Sequence, residues 1–262
     1  MEEQSMRKKI RRKLERLVHS PLLANPLEKE ALREFNRSKA RWLAAGGRID
    51  RNFAIKSDFM ADAGSNKGHY FHQDLLVATF IFEENPVRHI DVGSRIDGFV
   101  AHVAAFRPIE VVDVRPLPST PHKNIIFRQA NLMETVEEEI ADSVSCLHAI
   151  EHFGMGRYGD PTDINGHLKG IDNLVRMLKP GGKLYISFPI GKENEVHFNA
   201  HRIFHPEFIF KLSVISSEMR LLRFDYVDDD GDLHTNTPVS EAVGRFNFGC
   251  GIYTFEKAQT PC

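Results

Sequence analysis

The sequence predicts an α/β fold, in which a mostly parallel sheet of seven strands has helices on both faces and follows a helical extension. The first observation behind this prediction is the alternation of short apolar runs with helical patterns from about residue 68 onward. Strands and helices that alternate in this way form βαβ units, whose right-handed crossovers place the helices on both faces of a parallel sheet. The second observation is the composition, because 262 residues with 42% hydrophobic and 27% charged side chains suit a globular domain with a large core.

The N-terminal segment differs from the rest of the chain. We predict that residues 1–50 form a helical extension and that residues 51–262 form the main domain. Apolar residues recur at helical spacing among basic ones over residues 6–18, and a second helical pattern over residues 27–45 ends at a pair of glycines. This extension either packs on the main domain or on a second subunit of an oligomer, or its basic helix contacts an anionic membrane surface.

Within the main domain, apolar runs and the turn residues between them define the order of the elements. The first part contains five predicted strands, over residues 87–92, 110–114, 124–127, 143–149 and 183–188. Helical patterns precede or separate these strands, over residues 74–82, 98–106, 134–140 and 166–178. The pattern then changes to a polar loop, a helix, a strand, an acidic turn and a final strand, over residues 189–206, 206–213, 221–227, 228–232 and 251–256.

The composition also excludes several classes of protein. The net charge of −2 gives no overall attraction to nucleic acid, and no run of about 18 apolar residues predicts a transmembrane helix. The basic N-terminus lacks the apolar core of a secretory signal. Cys146, Cys250 and Cys262 are far apart and odd in number, which is typical of a reducing compartment and not of a disulfide framework. We therefore expect a soluble, cytoplasmic protein.

The end of the first predicted strand carries an incomplete glycine loop of the Rossmann-like kind. Asp91 and Gly93 fall where this strand would end, and Gly98 follows inside the start of a helix. Ligands of open α/β sheets bind outside the carboxyl ends of the strands, where a glycine permits a tight turn and a close approach to the backbone. Arg95 replaces the middle glycine, which in dinucleotide-binding loops lets a pyrophosphate approach. This departure disfavours a dinucleotide, and the glycine pattern alone is a weak signal.

Asp113 lies at the end of the second predicted strand, about 20 residues after Gly93. A carboxylate at this distance from the glycine loop accepts hydrogen bonds from both ribose hydroxyls of a bound nucleotide. The alternative is a surface aspartate that begins the turn before Arg115 and Pro116.

Taken in order, these motifs resemble the class I S-adenosylmethionine (SAM)-dependent methyltransferase superfamily over about residues 68–256. The resemblance rests on Asp91-Val-Gly93, Asp113, Asn131-Leu132, Leu147-His-Ala-Ile-Glu-His152 and Leu178-Lys-Pro-Gly-Gly-Lys-Leu-Tyr-Ile-Ser187. The last string is the most specific, because in that superfamily the proline and two glycines form the turn before the fifth strand. More narrowly, Gly68-His-Tyr-Phe-His-Gln-Asp74 and Phe198-Asn-Ala-His-Arg-Ile-Phe204 resemble a DUF268-type bacterial family of methyltransferase-like proteins, associated with cell-surface carbohydrate pathways.

The resemblance implies that SAM is the cofactor and S-adenosylhomocysteine the product. The loop after the first strand would lie under the methionine part of SAM, Asp113 would hold the ribose, and Asn131 would bind the adenine amino group through its carbonyl. Arg95 pairs either with the SAM carboxylate or with Asp97 or another nearby acid. The residues predicted to bind the cofactor are Tyr70, Gln73, Asp91, Gly93, Ser94, Arg95, Gly98, Asp113, Val114, Asn131, Leu132 and His148.

Methyl transfer from a sulfonium to a hydroxyl needs alignment and a base, and histidine is the natural candidate for the base. We predict that His152 is this base and that Glu151 orients it, with His148 as a further catalytic candidate near the methionine end. The alternative is that Glu151 and His152 only close the loop after the fourth strand.

Further charged and aromatic side chains follow the later strands. The residues predicted to bind the acceptor are Arg157, Tyr158, His197, His201, Arg202 and His205. Since arginine suits phosphate geometry, the expected acceptor is a small molecule or carbohydrate that can carry phosphate. His197 and His201 have the i, i+4 spacing of a metal pair, with Asp160 and Asp163 near in sequence, but no third ligand completes a tight pattern and we predict no metal. The acidic run over residues 228–232 lacks the glutamate of a calcium loop and predicts a hairpin turn.

The main functional hypothesis is therefore a SAM-dependent methyltransferase that O-methylates a small-molecule or cell-surface carbohydrate acceptor. A second hypothesis is a SAM-binding regulator or scaffold without catalysis. A third is an NAD-linked oxidoreductase, which Arg95 and the Pro-Gly-Gly turn disfavour.

Overall fold

The computed structural model describes residues 26–259, which divide into two compact units after Ser65. The division falls later in the chain than residue 50, where we predicted it. The basic helical pattern over residues 6–18 and Cys262 lie outside the described residues. No helix within the described part of the chain is both long enough and apolar enough to span a membrane.

The first unit contains helix α1 (Pro26–Ala44) and a short 3₁₀ helix (Ser57–Met60). Helix α1 carries Glu28 in its first turn and Arg41 in its last, charges that suit the helix dipole. The helix ends where the glycine pair predicts, because Gly46 adopts a positive φ of 84° and lets the chain turn back on the last carbonyls.

The second unit is built on a sheet of eight strands, and two further strands form a separate hairpin. The ten strands of residues 66–259 are β1 (His89–Val92), β2 (Ile109–Asp113), β3 (Ile125–Gln129), β4 (Ala141–Leu147), β5 (Leu178–Ile190), β6 (Glu195–His197), β7 (His201–Ile203), β8 (Met219–Val227), β9 (Leu233–His234) and β10 (Gly249–Lys257). The sheet has the order β3-β2-β1-β4-β5-β10-β8-β9, and its first five strands are parallel. The predicted mostly parallel α/β fold is confirmed. The sheet has one strand more than the seven we predicted, and this additional strand is the two-residue β9.

The strand order reverses between β1 and β4, since β1 pairs with β2 on one side and with β4 on the other. Ligands of open α/β sheets bind at such a reversal, outside the carboxyl ends of the strands. The topology therefore places the site beside the residues that follow β1 and β4.

The far side of the sheet is antiparallel. Strand β10 lies between β5 and β8 and runs opposite to both. The turn from β8 to β9 is the acidic run, in which the Asp228 carboxylate accepts the backbone N–H groups of Asp230 and Asp232 at 3.0 and 2.9 Å. The run is thus the predicted hairpin turn.

Helices cover both faces of the sheet. They are α2 (His69–Glu84), α3 (Ala101–Ala104), which continues a π-helical turn (Ile96–Val100), α4 (Gly166–Met177) and α5 (Ser213–Glu218). Successive residues of a strand point to opposite faces, and accordingly Val111 packs with the α2 side chains while Val112 packs with those of α4. Both clusters are apolar and buried, which is why the central strands read as continuous hydrophobic runs.

Three predictions about local structure were wrong. Residues 134–140 form no helix, and the Asn173 amide on α4 donates to the backbone oxygens of Leu132 and Glu134 at the start of this segment, at 2.7 and 2.6 Å. The predicted loop over residues 189–206 contains the β6–β7 hairpin. The predicted helix over residues 206–213 is a short 3₁₀ helix (Phe208–Lys211), and α5 begins after it.

Candidate active site

A cavity of about 330 Å³ opens at the carboxyl ends of β1, β2 and β4, a volume within the range of small-molecule sites. Its wall includes most of the predicted cofactor residues and four of the candidates for catalysis or acceptor binding, of which His148 was also predicted to bind the cofactor. The predicted residues that line it are Tyr70, Gln73, Gly93, Ser94, Arg95, Asp113, Val114, Asn131, Leu132, His148, His152, Arg157 and Tyr158. The structure thus brings together, on one cavity, side chains from four strand ends and the start of α2.

The turn after β1 requires glycine at position 93 for two reasons. Gly93 has a φ of 76°, in the left-handed region that side chains disfavour. A Cβ atom at this position would also lie 2.8 Å from the Cβ of Ala149, closer than two such carbons approach. The turn after β1 therefore packs directly on the turn after β4.

We expect Gly93→Ala to lower the free energy of unfolding by more than the left-handed backbone alone would cost, which is about 1–3 kcal/mol. The added methyl group must displace Ala149 or the loop itself. Urea unfolding of the variant measures the loss. Gly244→Ala is the matched control, because Gly244 has a similar φ of 72° and open space around it. Equal losses in the two variants would show that the close packing on Ala149 has no energetic role.

Asp91 lies under the glycine loop and not on the cavity wall. It is fully buried, and its carboxylate accepts the Ser94 backbone N–H at 3.1 Å, the Ser94 hydroxyl at 2.7 Å and the Ser145 hydroxyl at 2.6 Å. Burial raises the pKa of Asp91 to about 7, although the bonds from Ser145 and Ser94 oppose the shift. Its predicted role in direct cofactor binding is therefore replaced by a role in holding the loop between β1 and β4.

Arg95 and Gly98, which we predicted to bind the cofactor, both lie next to acidic side chains of the protein. Arg95 forms a two-point ion pair with Asp97, at 3.0 and 2.8 Å, so the second of the two predicted alternatives is present. Gly98 does not line the cavity. A Cβ atom there would lie 2.8 Å from a carboxylate oxygen of Asp74, so this glycine makes room for a wall residue that the prediction missed. Burial raises the pKa of the Asp74 carboxyl.

Gln73 lies next to Asp74 on α2, and two hydrogen bonds determine the orientation of its amide group. Its carbonyl oxygen accepts the Ser187 hydroxyl at 2.6 Å, and its nitrogen donates to Asp74 at 3.2 Å. The second N–H of this amide is therefore the group that Gln73 can offer to a ligand.

Asp113 ends β2 with its carboxylate on the cavity wall. Arg115 donates to it from the backbone at 2.8 Å and from the guanidinium at 2.9 and 2.5 Å. The same guanidinium lies 4.5 Å from the ring centre of Tyr158, within the range of a cation–π interaction. Sequence reasoning missed Arg115, which links the end of β2 to the loop that follows β4.

The segment after β3 completes this side of the cavity. The side-chain oxygen of Asn131 accepts the Met133 backbone N–H at 3.1 Å, and its nitrogen donates to Glu134 at 3.3 Å. An amide oxygen has two lone pairs, so one remains for a ligand. Leu132 is buried beside it and provides an apolar wall.

The turn after β4 holds two histidines around one buried carboxylate. His148 adopts an uncommon left-handed φ of 49°, and its Nδ1 lies 2.9 Å from Glu151 Oε1. The Nε2 of His152 lies 3.7 Å from the same oxygen. His148 and His152 line the cavity, whereas Glu151 is buried behind them. The short contact of Glu151 is therefore with His148, and not with His152, which we predicted that it orients.

The pKa values of the two histidines are shifted in opposite directions. Burial lowers the pKa of His152, and the nearby Arg157 lowers it further, although Glu151 acts in the opposite sense. Burial also opposes charge on His148, but Cys250 and Glu151 outweigh burial and hold the pKa of His148 well above its usual value. His152 is therefore the neutral member of the pair at neutral pH, and neutral imidazole is the form that accepts a proton.

The loop after His152 carries Arg157 and Tyr158 to the cavity wall. Asp160 holds this loop by accepting the backbone N–H groups of Gly154, Gly156 and Tyr158, at 2.9, 3.3 and 3.2 Å. Tyr158 packs edge-on against the His152 ring, with ring centres 5.5 Å apart. The two predicted acceptor residues of this loop thus lie beside the candidate base.

The four other predicted acceptor residues do not line this cavity. His197 pairs with Glu195, His201 packs against Phe248, and the His205 ring accepts a backbone N–H. Arg202 is buried and donates to the backbone oxygens of Glu151 and Phe153 at 3.2 and 2.8 Å. Its guanidinium therefore holds the turn that carries His152, which corrects the prediction that it binds an anionic acceptor.

One family matches part of the chain. The family described as "Caenorhabditis protein of unknown function, DUF268" matches residues 128–228, from β3 to the turn after β8. The predicted resemblance to a DUF268-type family is confirmed over this stretch, and the family is named after Caenorhabditis where we expected bacteria. A search of curated proteins finds no match.

Solved structures share the fold at low sequence identity. The [4+2]-cyclase SpnF is 15% identical, with 90% of this chain and 98% of the cyclase covered at a TM-score of 0.50. The N-methyltransferase NodS from Bradyrhizobium japonicum WM9, in complex with S-adenosylhomocysteine, is 12% identical, with 85% and 98% covered at 0.48. The 1,6-didemethyltoxoflavin-N1-methyltransferase of Burkholderia thailandensis is 14% identical, with 91% and 92% covered at 0.46. Such likenesses concern the fold, on which unrelated reactions occur.

Proposed function

We propose that this chain is a SAM-dependent methyltransferase that transfers the methyl group to a hydroxyl of a small-molecule acceptor. The observation that carries the proposal is the cavity at the strand-order reversal, with a left-handed glycine at the end of β1 and a carboxylate at the end of β2. A cofactor that contains a nucleoside needs both features. Its ribose hydroxyls require a hydrogen-bond acceptor, and the group attached to the ribose must approach the protein backbone closely.

The cofactor would lie across the strand ends. Its ribose would hydrogen-bond to Asp113, and its adenine would lie between Leu132 and the remaining acceptor of Asn131. The charged methionine end would face Asp74 and Gln73, whose carboxylate and N–H complement an ammonium and a carboxylate. Structures of similar fold support the choice of cofactor, since two are described as complexes with S-adenosylhomocysteine. Arg95 at the middle-glycine position disfavours the pyrophosphate of NAD.

The acceptor would bind beside His152, Arg157 and Tyr158. Glu151 near Nε2 favours the neutral tautomer with its proton on that nitrogen, which leaves Nδ1 to accept a proton from the acceptor hydroxyl. The Arg157 guanidinium lies 3.5 Å from Nδ1 and donates to the Ala200 backbone oxygen at 2.6 Å, so the acceptor hydroxyl would have to displace it from Nδ1. A polar wall with one arginine suits a carbohydrate-type acceptor that carries phosphate.

Two measurements test this proposal. Isothermal titration should show one-to-one binding of SAM and no tight binding of NAD, and the reverse result would overturn it. Purified protein with methyl-labelled SAM should then transfer label to a fraction of small metabolites or polysaccharide. SAM binding without transfer to any fraction would favour a non-catalytic regulator or scaffold.

We expect the rate of methyl transfer to be level above neutral pH and to fall in acid, below the usual histidine pKa of about 6.5. The sign follows from the base, because protonated His152 cannot accept a proton and its pKa is lowered by burial. The measurement is kcat against pH at saturating SAM and acceptor. His152→Gln should lose this acid limb, and a limb centred above pH ~6.5 would contradict the assignment.

A further inference from the structure

His148 on the cavity wall belongs to a group of three side chains, of types that can bind a metal, that the proposed reaction does not use. His148 comes from the turn after β4, His69 begins α2 and Cys250 lies in β10. One ring nitrogen of each histidine and the Cys250 sulfur all lie within 4.8 Å of one another. Three elements far apart in sequence thus bring two imidazoles and a thiol to one point.

His148 offers a nitrogen with no partner. Its Nδ1 is engaged by Glu151, whereas its Nε2 is buried and makes no hydrogen bond in the structure. The ring as a whole is only 8% exposed, so water does not satisfy this atom from outside. A buried polar atom without a partner costs free energy unless a ligand binds it.

The outer contact of His148 is that of a metal-bound histidine. A histidine that binds a metal through one nitrogen usually donates the other N–H to a carboxylate or a backbone carbonyl. His148 has the Glu151 carboxylate at 2.9 Å, and the His69 ring stacks on that of Phe248 with ring centres 5.4 Å apart. Cys250 is a free, fully buried thiol, whose sulfur lies 3.8 Å from the side-chain oxygen of Gln73 and from the Gly251 carbonyl.

We propose that His69, His148 and Cys250 bind a single zinc ion on the wall of the cavity. Two imidazoles and one thiolate are a ligand set that zinc accepts, and three protein ligands leave a fourth position for water or another oxygen. Ligands of one tetrahedral zinc ion lie roughly 3.3–3.6 Å apart, so the cluster closes by about 1 Å when the ion binds. His69 is half-buried and can make this movement by rotation of its side chain. Binding releases two protons to solvent, one from the Cys250 thiol and one from Nε2 of His148, whose pKa lies well above its usual value.

This inference goes beyond the proposed methyl transfer, which needs no metal, and its test does not depend on activity. The full chain, stripped with a chelator, is titrated with Co²⁺. We expect one equivalent to bind, with a near-ultraviolet thiolate-to-cobalt band and the visible bands of four-coordinate cobalt, and Zn²⁺ to abolish both. Absence of these bands in the parent protein would overturn the proposal, whether or not SAM binds.

Variants identify the ligands. Cys250→Ser should lose the charge-transfer band and weaken zinc binding by more than about 100-fold. This loss exceeds the one expected when only a residue that hydrogen-bonds to a metal ligand is replaced. His69→Gln is the second test, because its half-buried side chain makes misfolding a lesser concern, and circular dichroism checks both variants. Cys146→Ser and His201→Gln are the matched controls and should keep the parent spectrum, since both residues lie outside the cluster. A band that survives in Cys250→Ser or in His69→Gln would overturn the site.

Discussion

Replacement of His152 by alanine lowers kcat about 10²- to 10⁴-fold and leaves SAM affinity nearly unchanged, if His152 is the base that we propose. The imidazole lines the cavity, its pKa is lowered by burial, and Glu151 stands behind it. Alanine removes the proton acceptor, whereas the strand ends that would hold SAM are untouched. The measurement combines single-turnover transfer of labelled methyl with isothermal titration of SAM.

The matched control for this variant is His122→Ala, which removes an exposed histidine outside the cavity. Its turnover should equal that of the parent. Normal turnover in His152→Ala would return Glu151 and His152 to the alternative in which they only close the turn after β4. A loss of SAM affinity equal to the loss of kcat would indicate that the substitution has damaged the cavity and not the chemistry.

The second large effect is expected at the end of β2. Asp113→Ala should weaken SAM binding by roughly 1–3 kcal/mol, about 5- to 150-fold in Kd, because it removes a charged acceptor for the ribose hydroxyls. Three donors of Arg115 already use this carboxylate. An ionised carboxylate accepts about four hydrogen bonds, so the ribose must share it with Arg115 or displace part of the guanidinium.

Two further variants separate these cases. Glu110→Ala, which removes an arginine-paired carboxylate from the same strand but outside the cavity, should leave SAM affinity unchanged. Arg115→Ala should bind SAM at least as tightly as the parent if the guanidinium competes with the ribose. If Asp113→Ala binds SAM as well as Glu110→Ala does, Asp113 is not the ribose acceptor.

The parts of the site that sequence reasoning predicted are those encoded locally. Gly93 and Asp113 stand at the ends of buried apolar runs, and Asn131 comes shortly after the partly exposed strand β3. Because parallel strands carry their carboxyl ends to one edge, the periodicity of the chain was enough to bring these residues together.

What sequence reasoning missed depends on partners far along the chain. We predicted that Arg202 binds an anion, but its guanidinium donates instead to the backbone oxygen of Glu151 in the turn after β4. Asp74 fits on the cavity wall because Gly98 has no Cβ atom that would clash with it. Cys250 lies close to His148 because of the position of β10 in the sheet. Such contacts are set by tertiary packing, which residue spacing does not encode.

The position of β10 has a consequence for biosynthesis. Its backbone partners are β5 and β8, so the sheet remains two separate pieces until the last described strand has left the ribosome. Until then β5 and β8 each present an unpaired hydrogen-bonding edge, which is a template for aggregation. Pairings of such large sequence separation also form slowly. The sheet therefore closes only when β10 inserts between these two edges, and the segments synthesised before β10 are exposed to edge-to-edge aggregation until it does.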